Sequence, residues 1–524
     1  MMKKVISVVL CLLMTFSCIV PSFATEPEEY PTIYIVGAHT NPIYNAEGEE
    51  VYPLKADFVQ TIKDTLGPCL EELAKGMITD DYSSYAEEFN ASWAPIFEDL
   101  ILDKNGEVTN GSYTKFHTET NHLIGKTSGY DVWDCRFWYD WRKSPLETAQ
   151  ELKAHIDNVL EATGKDKVQL IGRCYGANVI AAYLELYKDH AKTYVSDISY
   201  YSASSMGIDF MSALFSGQIK IENEAFDSFL DYYIDEQGLV GDESCSAFAL
   251  ALVELFYQAK MLGVTGETLM SFINNFKNDL FPLILRNTFG GWLSYWAMVT
   301  PELYEQARDF VFDTDEVRAE YAGFIEKADA YYYTVQVNIV DTMLEMKEAG
   351  INFYIFAKYN FPEFPLYEGA TTQGDGDTSV YRQSFGATAA DYDKVFTQEY
   401  LDSVSPENMK YISPDKKIDA STCLFPETTW FVKDLHHNYF YPLQDPSVEI
   451  MRYDLTVDND KYPQFMVNVN DESLAPLEGT DEDYDKTEES FFNAIINFVK
   501  NLLNVIIKLI QDDIDLNFDL GALT

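Results

Sequence analysis

A cysteine framed by glycines is the residue of this 524-residue chain whose type and spacing point most directly to chemistry. Gly172-Arg173-Cys174-Tyr175-Gly176 lies between a β-rich run ending at Ile171 and a helical pattern beginning near Ala177. Glycines two before and two after permit a strand-to-helix turn too tight for larger side chains, and such a turn lifts its central side chain clear of the sheet. A cysteine there is a nucleophile once ionised, because the thiolate attacks rather than the thiol. The amino end of the following helix favours that anion. A base and an orienting acid would complete the set. Gly374-Asp375-Gly376-Asp377 offers two carboxylates, and of the seven histidines only His436 and His437 come later in the chain.

These residues need elements to hold them. Thr32-Ile33-Tyr34-Ile35-Val36, stopped by Gly37, has the form of a buried strand. Ser144-Pro145-Leu146-Glu147 reads as a capping box opening a helix that Gly164 stops. Val168 to Ile171 reads as a strand, Ala177 to Tyr187 as a second helix, and Ile198 to Tyr201 as another strand. That alternation predicts βαβ crossovers and a largely parallel sheet. From 207 to 350 the pattern turns helical, as in Phe248 to Met261 and Leu269 to Phe281. The block reads either as a cap over the sheet edge or as a second helical layer of the core. Strand patterns return at Ile351 to Ala357 and at Trp430 to Val432, each a loop away from a candidate acid or histidine.

The ends and the composition narrow the setting. Lys3 and Lys4, an apolar run from Val5 to Val20 and Ser22-Phe23-Ala24 predict an export signal over 1–24, hence a secreted or cell-surface protein. The expected organisation is a core over 25–206 and 351–470, an insertion over 207–350, an acidic linker over 471–490 and an amphipathic helix and tail over 491–524. The apolar helix at 491–510 carries Asn493, Asn497, Lys500, Asn504 and Lys508 on one face, the form of a segment that lies on a membrane surface or self-associates. A formal charge of −48, more negative still without Lys3 and Lys4, disfavours nucleic acid as a partner. Beyond the leader stand Cys69, Cys135, Cys174, Cys245 and Cys423, an odd set that leaves at least one thiol unpaired; with Cys174 as that thiol, the other four have three ways to form two bridges. No cysteine or histidine spacing suits zinc, and no metal or cofactor is expected.

Taken in order, Phe137-Trp138-Tyr139-Asp140-Trp141-Arg142, the capped helix and the glycine-framed turn resemble the α/β-hydrolases related to lecithin:cholesterol acyltransferase and its lipase relatives. Val36-Gly37-Ala38-His39 and Gly374-Asp375-Gly376-Asp377-Thr378-Ser379-Val380 extend the resemblance, which covers 31–206 and 350–440. It implies an α/β-hydrolase fold with a helical cap insertion, and a nucleophile, acid and histidine in that chain order. The family's Asp-x-x-Val pattern selects Asp377 as acid, with Asp375 the alternative. Position selects His437 as base, with His436 the alternative; relatives commonly carry glycine three residues before the histidine, where this chain has Asp434. The oxyanion hole would use the backbone NH of Tyr175 and that of Ala38 or His39. The family has serine where this chain has Cys174, although dienelactone hydrolases on the same fold carry cysteine there. The implied activity is hydrolysis or transfer of an apolar acyl ester, on a small-molecule or lipid substrate, through an acyl-cysteine. The alternative is an inactive, hydrolase-fold binding or surface protein; a cysteine peptidase is a weaker third reading.

Overall fold

The computed structural model describes residues 29–54, 69, 71–114, 135–235, 260, 263–469 and 473–478. The expected leader, Cys245, almost all of the helix expected at Phe248 to Met261, and the terminal helix at 491–510 lie outside the described residues.

The main sheet is built from β1 (Thr32–Ile35), β2 (Arg136–Phe137), β3 (Val168–Arg173), β4 (Val195–Tyr201), β5 (Asn352–Tyr359), β6 (Thr429–Lys433), β7 (Phe465–Val469) and β8 (Ser473–Pro476). Their order across the sheet is β8-β7-β6-β5-β4-β3-β1-β2. Every pair is parallel except the edge pair β7 and β8. Parallel strands need crossovers, and these carry helices that cover both faces, so central strands are apolar along their whole length rather than alternating. β4 is buried at every position. Its neighbours Tyr200 and Tyr201 point to opposite faces, as strand geometry requires. Tyr201 donates to Leu443 O, 3.2 Å away, on the helix α4 (Tyr441–Tyr453). Tyr200 packs beside α2 (Gly176–Leu186) and α3 (Ile339–Glu348).

The capped helix is α1 (Pro145–Thr163). Ser144 Oγ accepts from Leu146 N, and Gly164 at φ 65° closes the other end in the left-handed conformation. The reciprocal half of the expected box is absent, since Glu147 is turned outward to accept from Lys327 at 2.7 Å.

The insertion combines both expected arrangements. Its last helix, α3, contributes Met343 and Met346 to the core beside α2. Earlier segments close around a separate apolar cluster that includes Trp296, Tyr304, Val311, Phe312 and Phe324. The same insertion reaches over the carboxyl edge of the sheet, where Trp292 meets Trp141 edge-on and Asp209 binds Arg382. The single helix expected over Leu269 to Phe281 is instead two, Gly266–Ile273 and Lys277–Arg286, separated at Asn274 to Phe276. A second boundary also moves: part of the expected acidic linker is β8, which pairs with β7 and so extends the sheet past residue 470.

Candidate active site

β3 runs straight into the turn, and Cys174 stands there at φ 49°, a left-handed conformation uncommon for a residue with a side chain. Its own NH is tied to Tyr201 O at 3.0 Å, and its carbonyl accepts from Ala177 N at 3.0 Å, so the backbone is fixed on both sides. The flanking glycines are dictated by space. A Cβ at Gly176 would collide with the Ile35 carbonyl oxygen of β1, and one at Gly172 would stand 2.7 Å from Ile180 Cδ1. Cys174 remains partly exposed at the carboxyl edge of the sheet.

His437 meets this thiol from the loop after β6. Asp434, in the slot where relatives commonly have glycine, takes φ 59° and its carboxylate accepts from Asn360 at 2.6 Å. An aspartate tolerates that conformation better than most residues. His437 N donates to Asp375 O at 2.9 Å, and its Nδ1 lies 2.9 Å from Asp375 Oδ2. On the side of the strand-to-helix turn the same imidazole acts on the Cys174 thiol, drawing it toward the thiolate. His437 is 4% exposed and Asp375 is fully buried. Asp375 Oδ1 accepts from the backbone NH groups of Asp377 at 3.2 Å and Thr378 at 2.9 Å, in a turn that Gly376 allows at φ 98°.

Of the two aspartates it is Asp375, the alternative, and not the expected Asp377, that bonds His437. Asp377 sits on the Nε2 side of His437, with Oδ2 3.9 Å away and its side chain 44% exposed. The turn uses the earlier aspartate as its anchor and directs the later one outward, a consequence of local hydrogen bonding that an Asp-x-x-Val spacing does not report. His436 lies beside the site with its ring edge-on to Phe361 at 5.2 Å.

Electrostatics follow from this packing. Burial alone would raise the Cys174 thiol, but the charge and hydrogen bond of His437, with help from Arg173, outweigh it and bring Cys174 below the ordinary thiol range. Burial pushes the other way in His437, and Asp375 together with the Cys174 thiolate lifts its imidazolium well above the usual range. Asp375 is held below ordinary carboxylates by His437 and Lys358 in spite of its burial. The contrast with the other thiols is direct. Cys69 and Cys423 are unbridged, so two bridges among the remaining four cysteines do not form, and burial pushes both up to about 11. A thiol facing an imidazole and a guanidinium is shifted toward its thiolate, whereas one buried among apolar groups is shifted away from it.

The loop after β1 passes beside Cys174: a Cβ on Gly37 would lie 3.2 Å from Cys174 Cβ. The Phe137 to Arg142 run fixes this loop. Tyr139 donates to Val36 O at 2.5 Å, Trp141 Nε1 to Asn41 O at 3.0 Å, and Asn41 Nδ2 returns a bond to Tyr139 O at 2.7 Å. Arg142 and Asp140 form a buried two-pronged ion pair, and Arg142 also donates to Ser112 at 2.7 Å. His39 itself, at φ 63°, packs against Trp141 and bonds Tyr295 of the insertion at 3.0 Å. Burial lowers it to about 4, so its ring is neutral in ordinary buffers. Ala38 and Tyr175 flank Cys174 from these two segments, which is where backbone donors to a developing oxyanion would have to come from.

A large, mostly parallel sheet of this strand order flanked by helices, with a tight strand-to-helix turn at Cys174 after its third strand and the Asp375 and His437 loops after the fifth and sixth, is the α/β-hydrolase fold. Residues 101–223 match the profile of the lecithin:cholesterol acyltransferase family, a span that contains the Phe137 to Arg142 run, α1, the turn and α2. No curated protein sequence matches the chain. Among solved structures, the crystal structure of the Tle4-Tli4 complex is similar at 12% identity, over 63% of this chain and 75% of that chain, with a TM-score of 0.21.

Proposed function

We propose that this chain is an exported acyl-ester hydrolase or acyltransferase that works through an acyl-cysteine on Cys174. The observation that carries the reading is the His437–Asp375 hydrogen bond, 2.9 Å long, with the Cys174 thiol under the influence of the same imidazole at the end of a strand-to-helix turn. The match of residues 101–223 to an acyltransferase family supports ester chemistry.

In this reading the Cys174 thiolate attacks the ester carbonyl carbon, and the carbonyl oxygen becomes an oxyanion facing the NH groups of Tyr175 and Ala38 or His39. Collapse breaks the bond to the leaving oxygen, which takes the proton from His437 Nε2. A thioester on Cys174 remains. Water, or an acceptor alcohol, then gives its proton to His437 and attacks the thioester, releasing acid or new ester and restoring the thiolate. Asp375 stays ionised and fixes the ring tautomer throughout. The aromatic character of the insertion, whose Trp292 and Tyr295 pack around His39, favours an apolar acyl group.

The test is turnover of p-nitrophenyl esters from short to long acyl chains by purified protein, with Cys174→Ala and Cys174→Ser beside it. An acyl adduct on Cys174, seen by mass spectrometry after rapid acid quench and absent from Cys174→Ala, is expected. Absence of both turnover and adduct across the series would sink the proposal in favour of a binding protein on a hydrolase scaffold.

A further inference from the structure

Lys358 lies near the end of β5, on no motif, and is fully buried. Burying a lysine is costly unless every proton finds an acceptor. Here Nζ donates to the backbone carbonyls of His436 at 3.2 Å, His437 at 3.0 Å and Tyr439 at 2.6 Å. An ammonium has three protons, and this turn presents three oxygens to it. The seat is itself fixed, since Lys358 N accepts no freedom: it donates to Gln383 Oε1 at 2.8 Å, while Gln383 Nε2 donates back to Lys358 O at 3.1 Å and also bonds Thr378 O at 2.5 Å in the acid turn.

His437 is thereby held through its backbone from two directions, NH to Asp375 and C=O to Lys358, before its ring makes any bond. A second cation closes the loop from the nucleophile side. Arg173, adjacent to Cys174, donates to Asn438 O at 3.3 Å and Asn438 Oδ1 at 3.2 Å, and its guanidinium lies over the Phe440 ring at 4.5 Å.

We propose that Lys358 is a positioning residue that seats the His436 to Tyr439 turn and so sets the alignment of His437 between Cys174 and Asp375. The inference rests on the hydrolase reading for its kinetic consequence, but not for its effect on the thiol. The charged groups around the lysine are Asp375, Arg173, Cys174 and Asp377. Burial brings Lys358 down to about 7 against the pull of Asp375, so the seat carries a full set of protons on the acid side of neutrality and one fewer above it. An apolar replacement would leave three inward carbonyls without that donor, and the turn would relax toward water. His437 would shift with it. A displacement of about 1 Å at a reacting group is worth on the order of a hundredfold in rate.

The experiment uses the full chain with Lys358→Met and Lys358→Gln, the latter keeping an NH2 donor without charge. Iodoacetamide labelling of Cys174 is followed by mass spectrometry across pH, with ester kinetics and thermal melting in parallel. For Lys358→Met we expect the labelling midpoint to rise by about one pH unit, toward an ordinary thiol. We expect kcat to fall at least about tenfold with KM within about twofold, and partial recovery of both in Lys358→Gln. A folded Lys358→Met with the wild-type labelling profile and kcat overturns the proposal; if Lys358→Met does not fold, a folded Lys358→Gln with both unchanged does the same. Should the midpoint shift while no form of the protein turns over any ester, the positioning role stands and the hydrolase reading falls.

Discussion

The turn around Cys174 and the loops that carry Asp375 and His437 reach the same edge of the sheet by different means. The turn is local: five consecutive residues, two glycines demanded by Ile35 O and Ile180, and a backbone pinned within the strand pair and the helix it joins. The loops are held from a distance. His437 depends on Asp375, 62 residues away, on Lys358, 79 residues away, and its neighbour Asn438 depends on Arg173, 265 residues away. A local device specifies where a nucleophile stands, whereas a long-range one specifies what its partner does to it.

The sharpest way to break this division is to remove the nucleophile and leave its surroundings. Cys174→Ala is expected to abolish ester turnover by at least about a thousandfold while leaving the melting temperature nearly unchanged. A large loss of stability would mean that Cys174 is chiefly a packing residue. Asp375→Asn probes the long-range side. It keeps the shape but loses the charge that stabilises the imidazolium, and we expect kcat to drop by about a hundredfold to ten-thousandfold. Because the imidazolium also sustains the thiolate, the labelling midpoint of Cys174 should move upward in the same variant.

Gly176→Ala tests the local side through stability. The added methyl faces a backbone oxygen of β1 rather than a flexible side chain, so relief requires moving a strand. A loss of about 1–3 kcal/mol is expected in denaturant unfolding, and turnover should fall with it. Gly164→Ala serves as the control, since nothing lies near its Cβ and only the left-handed backbone is strained. A loss at Gly176 well below the one at Gly164 would show that the turn accommodates the added methyl and that crowding against β1 is not what its glycine relieves.

The same division explains what could be read from the residues in order. The parallel sheet, the glycine-framed strand-to-helix turn and α1 with its caps were legible because apolar runs, glycine spacing and cap residues act over a few positions. The choice between Asp375 and Asp377 was not. Both are aspartates after glycine, and what separates them is which oxygen the Asp377 and Thr378 amides bond and where Gly376 turns the chain. Lys358 left no trace either, since a lone lysine at the end of an apolar strand resembles an edge residue until its three carbonyls are seen. The short strands β2, β7 and β8 escaped because two to five residues carry too little pattern to read, and pairing supplies most of their definition. The long helix expected at Leu269 to Phe281 failed for the reverse reason: its apolar periodicity runs through a break that tertiary packing imposes.

The smallest effect separates the two aspartates by sign. Asp377 carries its carboxylate on the open side of His437, where it opposes the Cys174 thiolate, while Asp375 on the closed side sustains the imidazolium that pairs with it. Removing the charge at 377 takes away a like-charge neighbour of the thiolate, so in Asp377→Asn the labelling midpoint should move down, opposite to Asp375→Asn. Asp377 also raises the imidazolium, and its loss lowers that group at the same time, which limits the gain. Exposure limits it further, because water and salt screen an accessible carboxylate. The expected displacement is therefore a few tenths of a pH unit at low salt, shrinking toward nothing at about 1 M salt, with kcat within about threefold of the parent. Labelling curves for the two variants that move in the same direction would show that Asp377, not Asp375 alone, belongs to the charge system that holds His437.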